Sequence, residues 1–119
     1  MNELGTKGEQ AAAEYLAGKG YKIIERNWRF GKDEIDIIAQ KDSFIIIVEV
    51  KTRSTSFFGE PEEAVDRQKR RFLIRAADKY VNQKAIDLEV RFDIVSVIFE
   101  QGKQTIRHIE DAFYPTLRD

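Results

Sequence analysis

Three residues in the first half of the chain place acid and base where apolar side chains dominate. Asp36 lies inside the run Ile35-Asp36-Ile37-Ile38, and Glu49 and Lys51 close the longer run Phe44-Ile45-Ile46-Ile47-Val48-Glu49-Val50-Lys51. The longer run is apolar on both alternating faces, which predicts a central strand covered on both sides. Period-two geometry puts Glu49 and Lys51 on one face of it. Charges at the end of a buried strand are costly unless paired, hydrated or bound to a metal. Two carboxylates held close raise one pKa unless a cation intervenes. A hard divalent ion with oxygen ligands, Mg²⁺ or Mn²⁺, resolves that conflict, and Mg²⁺ usually takes one or two carboxylates with phosphate oxygens and water. A lysine beside it can orient a water or neutralise phosphate charge. Together the set suits metal-assisted phosphodiester hydrolysis.

Hairpin register decides whether Asp36 meets Glu49. A two-residue connection, Lys41-Asp42 or Asp42-Ser43, puts both carboxylates on one face; a three-residue connection puts them on opposite faces. Two-residue loops are the commonest. A blander arrangement fits the same spacing: a rim salt bridge between Glu49 and Lys51, worth little, with Asp36 bonded to turn amides. Spacing alone leaves both readings open.

The elements that must position these residues can be read in order. Helical spacing of Leu4, Ala11, Ala12, Tyr15 and Leu16 predicts a helix over Glu3–Lys19, with Gly20 as its left-handed terminator. Gly8 interrupts it at a cost of ~1 kcal/mol relative to alanine, which points to close packing or a late helix start. Strands are expected over Tyr21–Phe30, Glu34–Gln40 and Phe44–Lys51, then a polar loop over Thr52–Glu60 with Gly59 and Pro61 as breakers. Pro61 and the acidic Glu62, Glu63 and Asp66 predict a second helix over Glu62–Lys84. Strands over Leu88–Phe99 and Gln104–Ile109 follow, and Pro115 leaves the tail from Asp111 to Asp119 irregular. The order α-β-β-β-α-β-β predicts an α/β (α+β) mixed sheet flanked by helices.

With 119 residues, 42% hydrophobic and 34% charged, the chain has the size and balance of one globular domain, 1–119. A net charge of −1 gives no global basic field, so any nucleic-acid contact must come from local clustering. The absence of cysteine excludes disulfides and thiolate metal sites and fits a reducing compartment. No basic flank leads into an apolar run at the start, and no stretch approaches the ~20 apolar residues of a membrane helix. A soluble cytoplasmic protein without membrane contact is the expectation.

Asp36…Glu49-Val50-Lys51 resembles the PD-(D/E)xK signature of restriction-endonuclease-like nucleases, a superfamily that includes archaeal Holliday-junction resolvases. The chain as a whole resembles the YraN-like family of small bacterial proteins within it. The matching pieces are Gly5-x-x-Gly8-Glu9 with Ala12 and Tyr15-Leu16, Gly20-Tyr21, Asn27-Trp28-Arg29, Glu34-Ile35-Asp36-Ile37-Ile38-Ala39, Val48-Glu49-Val50-Lys51-x-Arg53, Phe58-Gly59, Ala64-Val65, Lys69 and Arg91-Phe92-Asp93. The resemblance implies a restriction-endonuclease-like fold, with Asp36, Glu49 and Glu9 as metal ligands and Lys51 as the catalytic lysine. It also implies action on DNA, on branched or recombination intermediates, and a symmetric homodimer suited to a four-way junction. Two positions depart from the pattern: Ile35 replaces the signature proline, and Asp33 stands where the family usually has glycine.

Other residues have weaker claims. Glu9, taken alone, is an exposed helix carboxylate favoured by the dipole. The basic run Arg67 to Lys79 reads first as a solvated face, with Arg53, Lys69 and Arg70 as the best phosphate contacts. Trp28 and Phe30 read as core and Phe57-Phe58 as a loop anchor. Asp93 is expected to bond to backbone, and His108 to lie on the surface of an edge strand.

Overall fold

The computed structural model describes residues 3–54 and 65–115. Helix α1 spans Glu3–Gly18, followed by β1 (Lys22–Phe30), β2 (Asp33–Lys41) and β3 (Phe44–Arg53). Helix α2 (Arg67–Gln83) leads to β4 (Glu89–Glu100) and β5 (Lys103–Phe113). The five strands form one sheet in chain order, β1-β2-β3-β4-β5. Neighbours pair antiparallel except β3 with β4, which are parallel and joined across the sheet through α2. Among the described residues, no helix is long and apolar enough to cross a membrane.

Strand β3 is the two-faced central strand that its apolar run predicts. Ile46, Val48 and Val50 pack with Ala11, Ala12 and Leu16 of α1, while Ile45 and Ile47 pack with Leu73, Ala76, Ala77 and Tyr80 of α2. Trp28 and Phe30 stack on each other, half-buried against the α2-side cluster at the margin of the core, and Trp28 meets the Tyr80 ring edge-on.

Helix α1 ends as Gly20 requires. That residue has φ +91°, and the amides of Gly20 and Tyr21 bond back to the carbonyls of Ala17 and Leu16. Gly8 lies within the helix, so close packing rather than a late start accounts for it: an added Cβ would overlap Thr52 of β3.

Three boundaries differ from expectation by two residues or more. Helix α2 begins at Arg67, because Asp66 is its N-cap: extended there, it accepts the Lys69 amide at 2.9 Å. The expected start at Pro61 and Glu62–Glu63, and Phe57-Phe58 of the preceding loop, lie outside the described residues. Strand β3 continues through Thr52 and Arg53, which pair with Val97 and Ile98. Strand β5 continues past Ile109 to Phe113, because Asp111 at φ 53° absorbs a register shift and Phe113 rejoins the ladder opposite Phe92.

Candidate functional site

The β2–β3 hairpin turns on Asp42-Ser43, with Lys41 opposite Phe44. Asp42 takes the positive φ (55°) that the tight primed turns require. The loop is therefore the even one, and the register puts Asp36 opposite Glu49, one step beyond the last ladder pair, Ile37↔Val48. Where the backbone ladder stops, the Asp36 side chain takes over: its Oδ2 accepts the Val50 N–H at 2.8 Å.

The alternation of β2 also breaks at Asp36. Ile37 packs on the α1 side, whereas Ile35, two residues away, packs on the α2 side. An ideal strand would put both on one face. Facing this break on β1 is Asn27, in the left-handed conformation at φ 53°. Asparagine tolerates that conformation better than most residues. The break lets one carboxylate address groups from both layers.

From the α1 side comes Glu9, which Gly8 brings against β3. Glu9, Glu34 and Asp36 each offer a carboxylate oxygen, all within 4.8 Å of one another. Asn27 holds two of these acids together, its Nδ2 donating to Glu9 Oε1 at 2.6 Å and Glu34 Oε1 at 3.0 Å. Arg29 pairs with the other oxygen of Glu34 at 3.4 Å. Beside them opens a cleft of ≈ 560 Å³ lined by Gly5, Thr6, Glu9, Asn27, Arg29 and Glu34, among others.

From the α2 side, Glu49 is nearly buried, and its Oε1 meets two ammonium groups, Lys51 at 3.7 Å and Lys69 at 3.6 Å. Its Oε2 is buried without a hydrogen-bond partner among the described residues. Burial raises the Glu49 pKa against the pull of the two lysines. Asp36 is pushed up to about 8, first by burial and then by the Glu49 charge, with Glu9 adding to it and the Val50 amide opposing. The carboxylates are thus crowded beyond what their present partners neutralise.

A family model described as uncharacterised protein family UPF0102 matches residues 8–97. The chain belongs to that family. Within UPF0102, a Bacteroides thetaiotaomicron protein is 54% identical over 98% of this chain and 96% of its own. A Phocaeicola vulgatus protein is 48% identical over the same shares, and one from Parabacteroides distasonis 49% identical over 99% of this chain and 98% of its own. The matched span runs from Gly8, beside Glu9, to Val97, so Glu9, Asn27, Glu34, Asp36, Glu49, Lys51 and Lys69 all fall inside it.

The structure brings together Glu9, Asp36, Glu49 and Lys51, the four residues singled out from the sequence. Lys69 joins them through Glu49 rather than standing clear for phosphate. Arg70 turns to the fold: its Nε donates to the Val65 carbonyl at 2.9 Å, and its guanidinium lies 5.5 Å from the Phe113 ring. Arg53 lies at the end of β3, two residues past Lys51.

Sequence reasoning gave no role to Glu34 or Asn27. Glu34 meets Asp36 only because the alternation of β2 breaks between Ile35 and Ile37, a break that period two does not announce. Asn27 gives no signal either: its role depends on a left-handed backbone in mid-strand.

His108 corrects the surface expectation. Its ring is almost fully buried, because β4 and β5 pair it with Val95 and bring it onto Asp93. The His108 Nε2 lies 2.7 Å from Asp93 Oδ2, and Nδ1 3.2 Å from the Tyr15 hydroxyl. Asp93 also accepts two guanidinium bonds from Arg91, at 2.9 and 2.8 Å, and the Asp111 amide at 3.0 Å. Side chains thus supply most of its partners, with one backbone amide beside them. Those bonds and the Arg91 charge outweigh burial and hold the Asp93 pKa below the ordinary carboxylate value.

Proposed function

We propose that the carboxylate site is a divalent-cation centre for hydrolysing nucleic-acid phosphodiester bonds, and that DNA is its substrate. The observation that carries this reading is the cluster of Glu9, Glu34 and Asp36, whose carboxylate oxygens lie within 4.8 Å of one another, with Glu49 opposite Asp36 across the hairpin. The donor set is all oxygen, which suits Mg²⁺ or Mn²⁺ rather than softer ions. Glu49 Oε2, buried and without a hydrogen-bond partner among the described residues, and Asp36, raised by burial and the Glu49 charge, both fit a cation site. Asp36, Glu49, Glu9 and Glu34 would hold the ion, which would activate a water and stabilise phosphate charge. Lys51 puts an ammonium on the same strand face, where it can orient that water or receive charge from the phosphate. Asn27 keeps Glu9 and Glu34 converged, and the open cleft gives a polar polymer access. The resemblance to resolvase-like nucleases supports the same reading and extends it to branched DNA and a homodimer.

One observation favours a second reading. Lys51 and Lys69 both reach Glu49, so part of the negative charge is balanced without an ion. A nucleic-acid-binding accessory module that keeps the fold and turns over little would retain that pairing.

Calorimetric titration with Mn²⁺ and a cleavage panel separate the two. The nuclease reading expects metal binding that weakens in Asp36→Asn and Glu49→Gln, with cutting of at least one flap, nicked, four-way or single-stranded substrate that Lys51→Ala abolishes. Metal binding without cleavage selects the accessory module. Unchanged metal affinity in both carboxamide variants overturns the site.

A further inference from the structure

Helix α2 concentrates charge to a degree the whole chain hides. It carries six basic residues, Arg67, Lys69, Arg70, Arg71, Arg75 and Lys79, against one acid, Asp78, in a chain of net charge −1. Outside this helix the chain is therefore net negative. The structure divides the six into two sets. Lys69 turns to Glu49 and Arg70 to the Val65 carbonyl. The other four, Arg67, Arg71, Arg75 and Lys79, recur every fourth residue and are all exposed. Residues four apart are neighbours on a helix surface, so they form one row about 18 Å long.

We infer that this row is a docking surface for the phosphate backbone of duplex nucleic acid. The inference rests on the phosphodiester reading of the carboxylate site and adds the surface that would present a substrate to it. Continuity with that site is direct, since Lys69, between Arg67 and Arg71 in sequence, touches Glu49. At the far end, Lys79 borders a groove shared with Trp28, Arg29 and Asn82, and Arg29 pairs with Glu34 of the site. Two of the cationic groups lie over aromatic rings, the Arg75 guanidinium 5.1 Å from the Phe72 centroid and the Lys79 ammonium 5.8 Å from that of Phe30.

Two observations select the partner. An anionic membrane would want an apolar wedge beside the basic row, but the apolar face of α2 (Leu73, Ala76, Ala77 and Tyr80) is buried against the sheet. A single strand would want exposed aromatic platforms for its bases. Among the described residues, the exposed large hydrophobic side chains are Ile24 and Tyr114, neither on α2. A charged row whose own helix bears no fully exposed apolar wedge or platform suits a surface of phosphates whose bases are stacked away.

The test compares the full chain with a fourfold variant, Arg67→Gln, Arg71→Gln, Arg75→Gln, Lys79→Gln. Fluorescence anisotropy follows a labelled duplex, one strand of it alone, and vesicles containing phosphatidylserine, over a range of NaCl. The expected result is at least tenfold weaker duplex binding by the variant, with a salt slope shallower by about 3 to 4. Replacing the three arginines by lysine keeps the slope and controls for folding. Mn²⁺ titration of the same proteins separates this surface from the site: duplex binding lost while Mn²⁺ affinity is kept supports the row. An unchanged duplex slope in the fourfold variant overturns it, as does tighter binding of the wild-type chain to single strands or vesicles than to duplex. If Asp36→Asn and Glu49→Gln leave Mn²⁺ affinity untouched, the metal reading fails, and the duplex slope still decides the row.

Discussion

Gly8 of α1 sits so close to Thr52 of β3 that a methyl group on the glycine would overlap Thr52 Oγ1 and lie 2.7 Å from Cγ2 and 2.8 Å from Cβ. The contact fixes how near Glu9, the next residue, comes to the β-strand carboxylates. Alanine at position 8 gains ~1 kcal/mol of helix propensity and loses about 1–3 kcal/mol to overpacking, so the net is destabilising. Gly8→Ala is expected to lower the urea midpoint and weaken Mn²⁺ binding together, and Thr52→Ala, which removes two of the three clashes, is expected to restore part of both. A Gly8→Ala protein with wild-type metal affinity would show that the close approach does not position Glu9.

Asp36 responds to pH in a defined direction. Its folded-state pKa is about 8 against an ordinary 3.8, so the native chain holds a proton that the unfolded chain releases. The stabilisation is full below the unfolded pKa and is lost as pH rises through the folded one. Chelator-treated protein should therefore melt progressively lower between pH 3.8 and about 8. Asp36→Asn should escape that part of the loss and melt about 5 °C or more above wild type at pH 8. Parallel melting curves across that window would count against it.

Asn27 links two site carboxylates and does so from a left-handed backbone. Replacing it with glycine keeps the φ angle and removes both donors, which separates geometry from hydrogen bonding. Asn27→Gly is expected to lower Mn²⁺ affinity by about 10–100-fold with little change in melting temperature. Glu34→Gln is expected to follow it in the same titration, since the pair acts on one group of oxygens.

The Asp93 cluster is a matter of stability. Asp93→Ala strips Arg91 of its buried partner and leaves His108 without its acceptor. Breaking a buried pair in this way costs about 3–5 kcal/mol. Because the Asp93 pKa is lowered, its contribution is present above the ordinary carboxylate range and is lost as pH falls through the folded value. Urea unfolding at neutral pH checks the magnitude, and an acid titration of wild type against Asp93→Ala checks the sign.

Much of the site was readable because it depends on period two and a short turn. An apolar run with Glu49 and Lys51 at its end implies a buried strand with one charged face. The Asp42-Ser43 loop supplied the even register that brings Asp36 opposite. Glu34 escapes that rule, because the alternation of β2 breaks between it and Asp36. Asn27 and His108 were not readable, for physical reasons: one depends on a single φ angle in mid-strand, the other on pairing between β4 and β5. Helix α2 starts at Arg67 and not at Glu62 because the Asp66 side chain makes the cap, a signal that Pro61 and two glutamates overshadow in the sequence.

The parallel pairing of β3 with β4 also bears on the order in which the chain assembles. Glu34, Asp36 and Glu49 all lie in the β2–β3 hairpin, which closes locally and early. Lys69 reaches Glu49 only after α2 and β4 have been brought back beside β3, a non-local step that is intrinsically slower. The negative charges therefore gather before one of their counter-charges arrives, and a nascent chain meets its own repulsion first. Divalent cations present during refolding should hasten the step that seats α2, an acceleration that Glu49→Gln would no longer need.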